Sequence, residues 1–207
     1  MDAAKSTERV QFEAWLRSSG FVWSPADVAF DAVRSAGFGV VARRALPAGH
    51  TLVSFPKASV LTSRTSALAR ALEEARLGGL GALTLALTHE RRLGDASRWA
   101  PYLRTLPRCE PLPVLWPADA LSRLAGTALP AATAHALATW RADWEAVPAK
   151  LRGAAGAESW DDYLHARTLV SSRSFAVDAY HGDGMVPFAD GARLSPRNFY
   201  FYSDLFS

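Results

Sequence analysis

The feature that most constrains this sequence is a double change of hydrophobic period. From about Val28 to Val60 the apolar residues come in short β-type runs, Val28–Val33, Val40–Ala42 and Thr51–Phe55, divided by Gly37-Phe38-Gly39 and by Pro47-Ala48-Gly49. This pattern predicts a small antiparallel meander. From about Thr62 to Val170 the chain is rich in Ala, Leu, Arg and Glu, and apolar positions recur at helical spacing, as at Leu68, Ala71, Leu72 and Ala75 and at Leu83 and Leu87. Strand character returns at Phe175–Val177 and at Met185–Phe188. The expected architecture is α+β: strands, a long helical stretch and strands again, with no internal repeat.

Local signals punctuate this layout. Thr7 can cap a short helix whose apolar face is Phe12, Trp15 and Leu16 and which Gly20 ends. Ala131–Trp144 reads as a further helix with Ala134, Leu137, Trp140 and Trp144 on one stripe, and Pro148 marks its end. Gly153-Ala154-Ala155-Gly156 reads as a linker. Ser159, with Asp162 three residues later, resembles a capping box opening a helix through Tyr163, Ala166 and Val170.

At 207 residues, 49% hydrophobic and 21% charged, the chain can bury a core as one domain or as a domain with a large insertion. Its longest apolar runs, such as Gly81–Leu87, fall short of the roughly 20 residues that span a bilayer, so no transmembrane segment is expected. The N-terminus lacks the basic-then-apolar order of a secretory signal, and Asp2, Glu8 and Glu13 argue against a transit peptide. Cys109 stands alone, so it can close no internal disulfide and build no Cys-based zinc site, which suits a reducing compartment. An intracellular address is expected, with cytoplasm, nucleus and chloroplast not distinguished. The net charge of +3 is spread along the chain, and the doublets Arg43-Arg44 and Arg91-Arg92 read as solvated faces, not as a nucleic-acid footprint.

Several chemistries are excluded by pattern. Gly37-Phe38-Gly39 lacks the third glycine of a dinucleotide fingerprint, and no glycine-rich run ends in Lys-Ser or Lys-Thr as a phosphate-binding loop would. There is no Gly-x-Ser-x-Gly elbow, His-Glu-x-x-His pair or EF-hand loop. The five histidines are scattered, and no metal site is expected.

What remains is a set of segments in a specific order. Ala36–Ala42, then Leu46-Pro47-Ala48-Gly49 and Leu52–Pro56, resemble the N-terminal half of a SET domain. Ser97-Arg98-Trp99-Ala100-Pro101-Tyr102-Leu103-Arg104-Thr105-Leu106-Pro107 resembles a stretch typical of the Rubisco large-subunit methyltransferase-like branch. Tyr163–Ala166, Ser171–Phe175 and Met185–Asp190 follow in that family's order, so the resemblance covers roughly residues 28 to 190. It implies a SET β region interrupted by a large helical insertion. The expected divisions are an N-terminal helical segment over 1–27, the first SET strands over 28–61, the insertion over 62–170, the start of the C-terminal SET segment over 171–190, and an atypical tail over 191–207.

The family's chemistry is methyl transfer from S-adenosylmethionine to a protein lysine. By resemblance, Ala36, Gly37, Phe38 and Gly39 would contact the methionine part of the cofactor, because glycine lets the main chain approach a ligand closely. Arg173 would pair with its carboxylate, Ser172 and Asp190 would line the same pocket, and Ser174 and Phe175 would lie nearer the substrate lysine. The partner is then a protein substrate, with lysine the expected target over histidine. The family also carries an Asn-His pair at the third and fourth positions after this aspartate and, further on, a tyrosine that orients the reacting amine. Here those two positions are Arg193 and Leu194, and Tyr200 and Tyr202 come too early for the tyrosine's role, so no catalytic residue is assigned. The C-terminal part of the SET fold is thus expected to be missing from this sequence. Two outcomes compete, an S-adenosylmethionine-dependent lysine N-methyltransferase and a truncated, non-catalytic product that binds a protein partner.

Overall fold

A computed structural model describes residues 3–33 and 37–191 of the chain. The first helix, α1 (Ala3–Ser18), begins before Thr7, which lies inside it and is not its cap. It buries Phe12 and Leu16, and half-buried Trp15 packs beside them. Strands β1 (Val28–Val33) and β2 (Gly37–Ala42) form an antiparallel hairpin.

The hairpin corrects the expected meander. Gly37-Phe38-Gly39 do not divide strands but open β2, opposite Val33, Ala32 and Asp31. Two glycines lower strand propensity, yet the antiparallel register with β1 runs unbroken from Ala42 to Gly37 and outweighs that cost. Thr51–Phe55 forms no strand. It makes a single bridge in which Val22 and Ser54 exchange N–H···O bonds of 2.8 and 3.0 Å, and Pro56, lacking an N–H, follows it at once.

The chain then passes through β3 (Leu61–Thr62), α2 (Ala69–Glu74), α3 (Gly79–Leu93), α4 (Ala100–Leu103), α5 (Ala118–Ser122), α6 (Leu129–Ala146), α7 (Ala149–Ala155) and α8 (Trp160–Arg173). The supposed linker Gly153–Gly156 is the last turn of α7 with its left-handed cap: Gly156 has φ +73°, and a Cβ there would lie 2.8 Å from Arg92 Cδ. Ser159 does cap α8, its hydroxyl accepting from the Asp161 N–H at 3.1 Å. The chain ends its described course with β4 (Ser174–Asp178), β5 (Gly182–Met185) and α9 (Pro187–Gly191). Strand character was expected to run through Phe188, but Pro187 cannot extend the ladder and suits the first turn of a helix.

A second antiparallel sheet has the order β3-β5-β4, with Leu61 opposite Met185 and Phe175 opposite Gly184. The helical stretch is therefore an excursion that leaves one sheet at Thr62 and re-enters it at Ser174. The two strand regions touch as expected but form two sheets, not one. α9 bridges them: it packs on β2, and the Phe188 ring meets Phe30 edge-on at 5.2 Å.

At the centre lies α3, buried from Ala82 to Thr88 and again at Glu90. Leu83 and Leu87 join the core beneath α1, the hairpin and α8, whereas Ala82, Leu85 and Ala86 join a second core with α2, α7 and Tyr163 of α8. The Glu90 carboxylate is satisfied by the Ala67 N–H at 2.7 Å and the Ser97 hydroxyl at 2.6 Å, and so ties the flanking loops to α3. The arginine doublets are largely solvated, as expected, with Arg43, Arg44 and Arg92 exposed and Arg91 half-buried, but three of them also make fixed contacts. Arg44 pairs with Asp27 at 2.7 Å, and Arg91 and Arg92 donate to the carbonyls of Pro107, Arg108 and Ala154.

Gly184 packs so closely that a Cβ would stand 2.7 Å from Val60 Cγ1 and 2.8 Å from Thr62 Cγ2. Gly184→Ala should therefore destabilise the chain by about 1–3 kcal/mol in denaturant titration, whereas Gly81→Ala, with only an ordinary 3.5 Å contact, should not. Equal behaviour of the two variants would contradict the packing described. Asp178 accepts from the His181 and Tyr180 N–H groups and from Lys57 Nζ at 2.9 Å. The His181 N–H and then Lys57 hold its carboxyl well below its ordinary value of 3.8. A depressed folded pKa adds stability above the unfolded value and loses it as pH falls. Asp178→Asn should accordingly lower Tm at pH 7, with the gap to wild type closing below about pH 4; a gap that stays constant to pH 2 would argue against it.

Candidate functional site

The corner where α8 becomes β4 carries four of the residues singled out from sequence. Arg173 is the last residue of α8, Ser174 caps it in extended conformation, and Phe175 continues into β4. Asp190 arrives from a distant part of the chain on α9, whose hydrogen bond from Asp190 N–H to Val186 O (2.9 Å) and buried Phe188 and Ala189 fix its direction.

Arg173 and Asp190 meet: Nη1 donates to Oδ1 at 2.8 Å. The other edge of the guanidinium faces Glu110, with Nε donating to Oε1 at 2.6 Å and Nη2 paired to the same oxygen. Glu110 is held there because its own N–H donates to Thr168 Oγ1 on α8 at 3.0 Å and because Arg91 grips the carbonyls of Pro107 and Arg108 just before it. The second oxygen of Asp190 accepts from the Tyr102 hydroxyl at 2.8 Å. A chain Tyr102–Asp190–Arg173–Glu110 thus crosses from the helical stretch to α9 and back.

Its electrostatics follow from burial. The Asp190 side chain is 4% exposed, and desolvation raises its carboxyl above the usual range against the opposing pull of Arg173 and Tyr102. Desolvation also works to lower the Arg173 guanidinium, but Asp190 and Glu110 together outweigh it and its pKa is raised. For Tyr102, burial and then the Asp190 charge push the phenol well above its ordinary value, so it remains a hydroxyl donor at any physiological pH.

The remaining residues are placed unevenly. Ser172 is exposed in the last turn of α8, and Ser174 is half-buried. Phe175 is half-buried and packs toward Val60, Val177, Val186 and Ala189, that is, into the sheet's own core. Gly39 is buried in β2, and β2 packs on α9, which carries Asp190. Gly37 and Phe38 share that strand, whereas Ala36, Arg193, Leu194 and the tail aromatics from Phe199 to Tyr202 lie outside the described residues. Among the described residues no cluster of His, Cys, Asp and Glu could hold a metal ion. Two members of the network, Tyr102 and Glu110, were not singled out as site residues. Tyr102 stood in the Ser97–Pro107 stretch, where a tyrosine reads equally as packing; Glu110 carried no local signal at all.

If the Tyr102 hydroxyl supports a buried carboxylate, Tyr102→Phe should cost about 1.5–3 kcal/mol, the range for hydrogen bonds to charged groups. The same substitution should cost much less in an Asp190→Ala background. Equal costs in both backgrounds, read by denaturant titration, would mean that the hydroxyl acts elsewhere.

With this geometry described, the chain can be set beside known proteins. No family model matches it. It is 33% identical over 144 residues to the N-lysine methyltransferase SETD6 of Mus musculus, an alignment covering 66% of this chain and 30% of that protein. With human SETD6 the identity is 35% over 120 residues, covering 54% of this chain and 25% of the relative. Among solved structures, the SET domain of LSMT bound to lysine and AdoHcy superposes with a TM-score of 0.75 at 23% identity, over 92% of this chain and 44% of that one. The chain therefore spans under half the length of each of these relatives. Within that span, sequence relatives and architecture agree: the chain belongs to the SET-domain proteins.

Proposed function

We propose that the chain serves S-adenosylmethionine-dependent methylation of a protein lysine and that the Arg173 corner receives the amino-acid end of the cofactor. One observation carries this reading: Arg173 already holds a carboxylate, that of Glu110, on the edge of its guanidinium that Asp190 leaves free. A guanidinium so oriented fits the carboxylate of an amino acid, and Glu110 stands in for it. When bound, S-adenosylmethionine supplies an electrophilic methyl group on a sulfonium. The residues of this chain would contribute binding and orientation, the means by which a bimolecular transfer is made effectively unimolecular. Asp190 and Tyr102 would keep Arg173 in a single rotamer; the β2 backbone at Gly37–Gly39, which packs toward α9, would offer a close approach to main-chain groups. Ser172 would line the same pocket, and Ser174 and Phe175 would lie on the side of the incoming lysine.

The same Glu110 contact also favours a second reading, a stretch that binds a protein partner without catalysis, because it occupies Arg173. Calorimetric titration with S-adenosylmethionine separates the two. If Glu110 stands in for the cofactor carboxylate, Arg173→Met should weaken binding at least about tenfold, the worth of a lost charge-assisted pair. Glu110→Gln should strengthen it, since a neutral amide competes less for the guanidinium. Tritiated methyl transfer to lysine in a protein extract should follow the same order. Absence of cofactor binding in both wild type and Glu110→Gln would favour the non-catalytic reading.

A further inference from the structure

The helical stretch holds a second place built to receive a charge, away from the Arg173 corner. A cavity of about 380 Å³ opens between the start of α3, the end of α6 and the middle of α8. Its walls are apolar, supplied chiefly by Leu77, Leu80, Leu85 and Val147. Three kinds of hydrogen-bond donor line or border it. Arg167 of α8 is 6% exposed, and its Nε and Nη1 are buried without a hydrogen-bond partner; the side chain stacks over the Trp140 ring at 4.6 Å and makes no ion pair among the described residues. One turn earlier on α8, the buried Tyr163 hydroxyl lies 3.5 Å from where a Cβ on Gly81 would stand, and its hydrogen-bonding neighbour is the side chain of Thr84, whose own hydroxyl donates to Leu80 O. Finally, α3 begins at this cavity with Gly78 as its cap residue, so its first-turn N–H groups receive no side-chain acceptor.

Each feature alone has a structural explanation. An arginine can stack on tryptophan for packing, and a helix start can face water. Their conjunction is harder to dismiss. Leaving buried donors unmatched costs free energy, and native proteins rarely do so unless something supplies the acceptor. The unmatched donors have one sign: a guanidinium and the positive end of a 15-residue helix both call for an anion. The one carboxylate in the lining, Asp143, is exposed and forms no ion pair with Arg167.

We propose that this cavity is a binding site for an aliphatic carboxylate, whose apolar body lies against Leu77, Leu80, Leu85 and Val147 while its charged group meets Arg167 and the start of α3. Such a carboxylate could belong to a small fatty acid or to a peptide chain ending in an apolar residue.

The probe is octanoate, titrated calorimetrically into the chain beside 1-octanol of equal length. Saturable one-to-one binding of octanoate with none of octanol is expected. Arg167→Met should weaken it at least about tenfold, with far-UV circular dichroism confirming the fold. Because that variant removes a stacked buried side chain, Ala146→Phe provides a second route: Ala146 is exposed at the rim, and a ring there should obstruct entry without touching the donors. Arg173→Met should leave octanoate binding unaltered, which separates this site from the proposed cofactor corner. A peptide ending in leucine with a free carboxylate, compared with its amide, distinguishes the two sources; preference for the free acid supports the site. No saturable binding of either acid would mean that water alone satisfies the donors. Equal binding of octanoate and octanol, or unchanged binding by Arg167→Met, would likewise overturn the proposal.

Discussion

The structure depends on one helix being buried on two opposite faces. α3 has no solvent side between Ala82 and Thr88, so it serves as the shared wall of two hydrophobic cores. Such a helix must dispose of its polar groups internally. Thr84 and Thr88 donate to carbonyls one turn back, and Glu90 accepts from two loop groups. The last of these matters most for organisation, because a buried carboxylate left unmatched would cost several kcal/mol. Glu90 therefore determines where Ala67 and Ser97 lie, and with Ser97 the start of the segment that carries Tyr102.

From that anchor the candidate site follows by rigid connection. Trp99 and Tyr102 are almost fully buried against the core beneath α1 and the hairpin, and the Trp99 indole donates to Ser59 O. This positions the Tyr102 hydroxyl under α9, where it meets Asp190. Arg173 is brought to the same place by α8, which packs along α3. The site is thus assembled from three segments that share one hydrophobic core, to which the buried central helix contributes Leu83 and Leu87. A carboxylate and a guanidinium in so dry a place are tolerable because each is paired and further hydrogen-bonded.

Much of this was legible in the residues. The alternation of strand and helical periods marked the excursion between Thr62 and Val170, and the order of Ala36–Ala42, Ser97–Pro107, Ser171–Phe175 and Met185–Asp190 marked the SET family. Arg173 and Asp190, expected to line one pocket, form an ion pair with each other in space. Local conformation was read less well where glycine and alanine dominate. Gly37-Phe38-Gly39 became strand because β1 pairs with it in unbroken register, and Gly153–Ala155 became helix because Gly156 could take the left-handed cap. Propensity describes an isolated segment, and here neighbours overrode it.

What the sequence determined by itself was the class of fold, the place of the helical excursion and the family to which the chain belongs, because these rest on periodicity and on ordered motifs along the chain. The tertiary structure alone decided which side chains complete the site. Glu110 stands 63 residues before Arg173 and has no motif around it; Tyr102 stands 88 residues before Asp190. The unmatched Arg167 guanidinium nitrogens beside the start of α3 became visible only in space. Hydrogen-bond satisfaction is a property of three-dimensional neighbourhoods, and no spacing along the chain encodes it.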